Sequence, residues 1–156
     1  MSKYVGNILT DGGQTGYSVS FDGTGDYLNC GSQTAYAFGT GNFTVEAWIY
    51  PTATTGTYQS IIDSRASDGS ASGWDLGFAP NYAFVYNAGF VLSSAAGSVP
   101  YNTWTHVAFV RNGSTITLYI NGVSAATAST SSNFTDSTVF IGANTFASAQ
   151  TFLGYI

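Results

Sequence analysis

Few side chains in this sequence could carry acid–base or metal chemistry. The 156 residues contain seven Asp, one Glu (Glu46), one His (His106) and one Cys (Cys30). A single His and a single Cys exclude a zinc cluster built from those ligands, and one Cys excludes an intrachain disulfide. No Gly-x-Ser-x-Gly nucleophile motif occurs. General acid–base catalysis therefore has few candidates, and Cys30 is expected to be a small buried hydrophobic residue.

Two aspartates are the only metal candidates with a suggestive spacing. Asp22 and Asp26 flank a turn that contains Gly23 and Gly25. Carboxylates with nearby carbonyls suit Ca²⁺, which takes about 6–8 oxygen ligands. Two carboxylates are few, however, and turn aspartates usually accept hydrogen bonds from their own backbone. We therefore expect no metal, with calcium at Asp22 and Asp26 as the weak alternative.

The charge content is unusually low and excludes several partners. Charged residues make up 7% of the chain, with three basic residues and a net charge of −5. Three basic residues cannot build a patch that follows a phosphate backbone, so nucleic-acid binding is excluded. No apolar run approaches the length of about 20 residues that spans a bilayer. The first ten residues lack the apolar core of a secretory signal, so we expect cytoplasmic synthesis and no membrane association.

The elements that must position any site are strands, because apolar and polar residues alternate throughout the chain. In residues 43–50, alternate side chains place Phe43 and Val45 on one face and Glu46 and Trp48 on the other. Both faces are partly apolar, which is typical of a strand inside a sheet. No stretch of 11–18 residues shows a helical apolar stripe. The sequence therefore predicts an all-β protein.

The strongest local signal is a three-stranded meander. Strands at 104–111, 115–121 and 123–128 are separated by Asn112-Gly113 and Asn121-Gly122. Asn-Gly supplies the two positive φ angles of a type I′ hairpin turn, so we expect this turn at both places.

The remaining strands are short and separated by turn-rich clusters. We predict them at 17–22, 26–29, 58–64, 73–78, 82–86, 90–93, 137–142 and 152–156. Many short strands without crossover helices are typical of an antiparallel sandwich. We predict one domain over 1–156, with 1–16 as an N-terminal arm or extra strand. A strand-rich surface coated with Ser and Thr has few charges to guard its edges, which favours packing against other subunits.

Four motifs resemble the laminin-G-like, concanavalin-A-like jelly-roll family. They are Ser-Val-Ser-Phe-Asp-Gly-Thr-Gly-Asp-Tyr-Leu at 18–28, Phe-Thr-Val-Glu-Ala-Trp-Ile at 43–49, Trp-Thr-His-Val-Ala-Phe-Val-Arg at 104–111 and Ile-Thr-Leu-Tyr-Ile-Asn-Gly at 116–122. The resemblance implies an antiparallel two-sheet jelly-roll sandwich. The sequences of the motifs are most similar to those of the copies in tailed-phage virion proteins. Those copies continue past Gly-Tyr-Ile with an acidic pair that sometimes joins a calcium site. This sequence stops at Ile156, so it is either a short variant or truncated.

The resemblance raises the question of glycosidase activity, because relatives of this fold include retaining glycoside hydrolases. That chemistry needs two carboxylates about 5–5.5 Å apart for retention or about 6.5–9.5 Å apart for inversion. Thr44 and Trp48 are the same-face neighbours of Glu46. Nothing in the sequence brings Asp75 towards Glu46. His106 is expected to be a half-buried, hydrogen-bonded structural residue, and we predict that the protein is not an enzyme.

Sugar recognition is the best-known binding role of the family that the sequence resembles. Stacking a sugar ring needs an exposed aromatic face beside amide and hydroxyl groups. The aromatics that lie beside Asn81, Asn87 or Asn102 in the sequence, or close to them, are Trp74, Tyr82, Tyr86 and Tyr101. Most of the aromatic residues must pack in the sandwich or at subunit contacts. These four are therefore candidate glycan-stacking residues, with packing as the alternative for each.

The leading functional prediction is a non-enzymatic structural and recognition module of a tailed-phage particle, as a capsid decoration or part of a tail appendage. It implies location in the virion and contact with other virion subunits. The alternative is a carbohydrate-binding module that attaches its owner to a glycan. Both predictions can hold together, because a surface decoration can also bind sugars.

Overall fold

The strands of this chain follow from its alternating pattern. A computed structural model describes residues 6–11, 14–54, 56–67, 69–88, 90–144 and 150–156, with side chains from Tyr17 onward except that of Phe90. The described residues form strands and one short 3-10 turn, Thr34–Tyr36. The strands are β1 (Gly6–Asp11), β2 (Gln14–Asp22), β3 (Leu28–Ser32), β4 (Phe43–Pro51), β5 (Gln59–Asp63), β6 (Asp75–Ala79), β7 (Tyr82–Asn87), β8 (Phe90–Ser93), β9 (Thr105–Asn112), β10 (Thr115–Ile120), β11 (Val123–Ser129), β12 (Thr138–Ile141) and β13 (Leu153–Tyr155).

The strands form two antiparallel sheets. The seven-stranded sheet has the order β1-β2-β13-β4-β9-β10-β11, and the six-stranded sheet has the order β3-β12-β5-β6-β7-β8. The predicted class, an all-β antiparallel two-sheet jelly-roll sandwich, is confirmed. No helix among the described residues is long and apolar enough to cross a membrane.

The predicted strands match the observed ones closely, with shifts at their ends. The strand predicted at 26–29 begins at Leu28 and continues to Ser32, and the strand predicted at 17–22 begins at Gln14. Within the predicted arm or extra strand at 1–16, strand β1 pairs with β2 at the edge of the seven-stranded sheet. Residues 1–5 and 12–13 of that segment lie outside the described residues.

The two hairpin turns of the meander differ from each other. Asn121 and Gly122 both have positive φ, 49° and 78°, as the type I′ turn requires. At the other turn Asn112 stays in the strand and pairs with Thr115, so the loop residues are Gly113 and Ser114. Only Gly113 of these has positive φ, 60°, which is the pattern of a type II′ turn. The type I′ prediction for Asn112-Gly113 is therefore wrong, because the strand pairing moves the turn by one residue.

The core lies between the sheets and is rich in aromatic rings. The largest fully buried side chains include Trp74, Phe78, Phe109, Phe134 and Phe152. Burying each such side chain stabilises the fold by about 1.5–3 kcal/mol. Cys30 on β3 is only half-buried, not fully buried as expected, because β3 is an edge strand of the six-stranded sheet. Burial raises the pKa of its thiol above the ordinary value.

Candidate functional site

The outer face of the six-stranded sheet carries a cavity of about 340 Å³, which we call the sheet cavity. Strand β7 shows how the sequence builds it. Ala83 and Val85 are fully buried in the core, whereas Tyr82, Phe84 and Tyr86 alternate with them and line the cavity. The other lining residues come from neighbouring segments: Tyr58, Arg65, Asp75, Val91, Ser93 and Gln150.

Gly77 lets the floor of the sheet cavity lie close to the strand backbone. Gly77 of β6 pairs with Phe84 of β7, and a Cβ at Gly77 would overlap the Phe84 ring. The ring can therefore lie directly over the strand backbone, and Phe84 is only 6% exposed. Tyr58 packs edge-to-face on it at 5.3 Å between ring centroids. The floor of the cavity is thus aromatic.

A buried ion cluster forms the polar part of the floor. Asp63 and Asp75 face each other across β5 and β6, and Arg65 lies between them. The guanidinium donates to Asp63 Oδ2 from Nη2 at 2.6 Å and from Nε at 3.0 Å, and to Asp75 Oδ2 from Nη2 at 3.0 Å. The Arg65 backbone N–H also donates to Asp63 Oδ1, at 2.6 Å. We call these three residues the Arg65 cluster.

With both carboxylates ionised, the net charge of the Arg65 cluster is negative, since it holds two carboxylates and one guanidinium. All three residues are at most 4% exposed, so solvent screens their charges weakly. Burial raises the pKa of Asp63 above its ordinary value, while the hydrogen bonds and charge of Arg65 oppose that change. Tyr86 covers the cluster, with its ring centroid 5.0 Å from the guanidinium carbon of Arg65.

A second cavity of about 390 Å³ lies on the other side of Arg65, beside Asp136. Asp136 holds the segment that follows β5. It accepts hydrogen bonds from Ser70 Oγ at 2.6 Å, Ser72 Oγ at 2.7 Å and the Ala66 backbone N–H at 3.1 Å. Burial acts to raise the pKa of Asp136, but these hydrogen bonds outweigh it and hold the pKa below its ordinary value. The segment is therefore fixed beside the sheet cavity.

The four aromatic residues predicted to stack on sugars have different positions. Tyr82 and Tyr86 are half-buried and line the sheet cavity. The prediction for Trp74 is wrong: its side chain is 1% exposed, because it has the same phase as the core residues Leu76 and Phe78. Tyr101 is half-buried against Phe78, at 5.8 Å between centroids, and is not among the residues that line the sheet cavity.

Asp22 and Asp26 hold their own turn together. Asp22 Oδ1 accepts a hydrogen bond from the Thr24 N–H at 2.7 Å, and Asp26 Oδ2 accepts one from the Asp22 N–H at 3.1 Å. Gly23 and Gly25 supply the positive φ angles of the turn, 81° and 75°. Among the described residues, no group of three or more His, Cys, Asp and Glu side chains could hold a metal ion. The expectation of no metal, with calcium at this turn as the weak alternative, stays a prediction.

The two carboxylates considered for glycosidase chemistry lie on different sheets. Glu46 is exposed on β4 of the seven-stranded sheet, and Asp75 is buried on β6 of the six-stranded sheet. His106 Nε2 lies 3.4 Å from Glu46 Oε2, and the His106 ring packs beside Trp48 at 5.3 Å. These positions do not form a glycosidase pair from Glu46 and Asp75.

Sequence reasoning missed several residues of the sheet cavity. Phe84 alternates in phase with Tyr82 and Tyr86, so that pattern could have identified it. The sequence gives a weaker signal for Arg65. It is one of three basic residues and lies two positions after Asp63, an aspartate on a strand, where a basic side chain needs a buried acidic partner. Its second partner Asp75 comes from another strand, which only the sheet pairing defines.

Solved structures similar to this chain include several sugar-binding domains. Domain 4 of the Geobacillus stearothermophilus extracellular arabinanase AbnA, in complex with arabinotriose, has a TM-score of 0.64, with 15% identity, over 97% of this chain and 72% of that chain. The CBM40 of the Ruminococcus gnavus IT-sialidase, bound to α2,3-sialyllactose, has a TM-score of 0.65, with 16% identity, over 97% and 85%. At these identities the likeness concerns the fold.

Laminin domains LG4-5 of the mouse α1 chain are also similar, with a TM-score of 0.66 and 15% identity. The match covers 88% of this chain but only 38% of that chain. No curated protein matches the sequence. The family described as the concanavalin A-like lectin/glucanases superfamily, in its laminin-G form, matches residues 22–156. The chain belongs to the concanavalin A-like lectin/glucanases superfamily.

Proposed function

We propose that this protein is a non-catalytic carbohydrate-binding module and that the sheet cavity holds the glycan. The observation that carries the proposal is the combination of aromatic faces with buried polar groups in one cavity of about 340 Å³. Ligand sites of about 300–1,000 Å³ typically combine apolar walls with a few placed polar groups. The cavity is at the small end of that range and fits one or two sugar units.

Each part of a sugar has a counterpart in the sheet cavity. The half-buried rings of Tyr82 and Tyr86 offer faces for the apolar side of a pyranose. Ser93 and Gln150 supply a hydroxyl and an amide for the hydroxyl groups. The structural neighbours that carry arabinotriose and sialyllactose support the proposal, because they are sugar complexes of the same fold.

A glycan array followed by calorimetry on the full chain tests this proposal. Tyr82→Ala removes an aromatic wall of the sheet cavity and is expected to weaken binding about tenfold or more, which is about 1.4 kcal/mol. Trp48→Ala is the matched control, because Trp48 is 58% exposed on the seven-stranded sheet. It should leave the affinity unchanged. Equal losses in both variants, or no glycan bound by the wild type, would contradict the proposal.

A second proposal, a structural role in a tailed-phage particle, concerns the opposite sheet. Its support is the exposure of large apolar side chains there, with Trp48 at 58% and Val123 at 70%. Large exposed apolar side chains often mark protein contacts. Mass spectrometry of purified particles and sedimentation of the isolated chain test it. A chain that stays monomeric at high concentration and is missing from particles would rule it out.

A further inference from the structure

The charge of the sheet cavity restricts which glycans it can accept. Among the described residues that line it, Arg65 is the only basic one. Its guanidinium already donates three hydrogen bonds to the carboxylates of Asp63 and Asp75. The positive charge that could attract an acidic sugar is therefore already compensated within the protein.

The Arg65 cluster also carries more negative than positive charge. Its three charges sum to −1, and protonation of one carboxylate would only bring that sum to zero. The next described charge beside Arg65 is another carboxylate, Asp136, which shares the second cavity with it. Whenever two of the three aspartates are ionised, these groups together with Arg65 carry no net positive charge. A ligand carboxylate would lose its hydration in the cavity without gaining a cation, which is unfavourable.

We infer that the glycan bound in the sheet cavity is uncharged and that acidic sugars are excluded from it. This inference rests on the proposed function. The hydroxyl groups of a neutral sugar can form hydrogen bonds with Ser93 and Gln150, and the sugar needs no counter-charge. An ionised uronic or sialic acid meets the field of the buried carboxylates at close range, where the effective dielectric is low. The fold does not decide this, because the neighbouring structures contain both the neutral arabinotriose and the acidic sialyllactose.

Matched pairs of oligosaccharides test the inference directly. Galactotriose and trigalacturonic acid, both with α-1,4 linkages, differ only in the oxidation of C6, and mannotriose and trimannuronic acid, both with β-1,4 linkages, form a second such pair. Calorimetry of the full chain at about pH 8 keeps the sugar carboxylates ionised, since their pKa lies far below that value. We expect the neutral member of a pair that binds to have at least about tenfold higher affinity, which is about 1.4 kcal/mol.

Asp75→Asn identifies the source of the discrimination. The variant removes one negative charge from the Arg65 cluster with little change in shape, and the ratio of neutral to acidic affinity should fall by about threefold or more. Glu46→Gln is the matched control, because it removes the same charge from the opposite sheet. It should leave the ratio unchanged. Melting temperatures verify that both variants are folded.

Salt titration of the wild type provides a test without any variant. Because the Arg65 cluster is buried, added salt screens its repulsion of the acidic member only weakly, so the ratio of neutral to acidic affinity should stay nearly constant, whereas a preference set by exposed surface charges would disappear. Equal or tighter binding of the acidic member would overturn the inference and leave the proposed function intact. The same holds if Asp75→Asn does not change the ratio of neutral to acidic affinity. Binding of no member of any pair, together with a silent array, would overturn both.

Discussion

The outer faces of the two sheets are built from the same alternating pattern but have different physical character. On the six-stranded sheet, Tyr82 and Tyr86 surround a cavity whose floor holds the Arg65 cluster. On the seven-stranded sheet, Trp48 is 58% exposed and lies beside the pair formed by His106 and Glu46. One face keeps its charges buried and hydrogen-bonded, whereas the other exposes them to solvent.

The difference between the two faces comes from the loops beside the strands rather than from the strands themselves. The segment held by Asp136 follows β5, and at its start Arg65 lies beside Asp75, the first residue of β6. Asn87 adds to this anchoring by donating from Nδ2 to the Ala71 carbonyl at 2.9 Å and to the Gly73 carbonyl at 2.5 Å. On the other face Trp48 is 58% exposed, and the contact between His106 and Glu46 beside it is open to solvent and contributes little to stability.

Removal of the Arg65 guanidinium should have the largest effect on stability. Arg65→Met leaves Asp63 and Asp75 buried without their cation and should lower the free energy of unfolding by about 3–5 kcal/mol. Glu46→Gln on the exposed face should change it by less than about 1 kcal/mol, because the contact of Glu46 with His106 is open to solvent. Urea denaturation of both variants measures the contrast. Similar losses in the two variants would show that the faces do not differ as described.

A methyl group at Gly77 should have the next largest effect. Gly77→Ala places a Cβ into the Phe84 ring and should cost about 1–3 kcal/mol of stability. It should also weaken glycan binding, because the displaced ring fills the sheet cavity. Gly69→Ala is the control, since a Cβ there meets no atom within 4 Å. A Gly77→Ala protein with wild-type stability and binding would refute the packing argument.

The pH dependence of stability should distinguish Asp63 from other carboxylates. Its pKa is raised in the folded protein, so the folded state binds the proton more tightly than the unfolded state. The stability from this difference is present below the unfolded pKa and is lost as the pH rises through the folded pKa. Urea denaturation of wild type and Asp63→Asn across the acidic and neutral range should show it. A wild type that gains stability relative to Asp63→Asn as the pH rises would contradict the assignment.

Asp136 should show the opposite slope. Its pKa is lowered in the folded protein, so its contribution is present above the unfolded pKa and is lost as the pH falls through the folded pKa. Because Asp136 is partly exposed, the effect should be smaller than that of Asp63. Denaturation of Asp136→Asn between about pH 2 and 5 checks it. If the difference in unfolding free energy between wild type and Asp136→Asn does not become smaller as the pH falls, this role is disproved.

Calcium should have the smallest effect. Asp22 and Asp26 already accept backbone hydrogen bonds within their turn. We therefore expect the same melting temperature in calcium and in EGTA, because a ligand that does not bind cannot stabilise the fold. A melting temperature that is clearly higher in calcium than in EGTA, with no such difference in Asp22→Asn, would show that the turn binds calcium.

Much of the fold could be predicted from the sequence, because strand alternation and turn chemistry are local. The hairpin at Asn121 and Gly122 shows the success, since both residues have the positive φ that their types favour. The turn at Gly113 shows the limit. Its position depends on the pairing of Asn112 with Thr115, which is a property of two strands together.

The candidate site could be predicted only in part. Tyr82 and Tyr86 were identified from residue type and neighbours, but the same criteria selected Trp74, which lies in the core. The criteria failed there because they ignored which face of the sheet each residue occupies. The Arg65 cluster depends on residues from different strands and on a loop anchored by Asp136, so no local pattern could define it.

The central claim is that a glycan binds over the six-stranded sheet and not over the seven-stranded sheet. Amide chemical-shift changes measured by NMR, during titration with the best glycan from the array, test it most directly. We predict that the largest changes occur at Tyr82, Phe84 and Tyr86 and that Trp48 and His106 stay constant. Changes concentrated at Trp48 and His106, with none around the sheet cavity, would contradict the account.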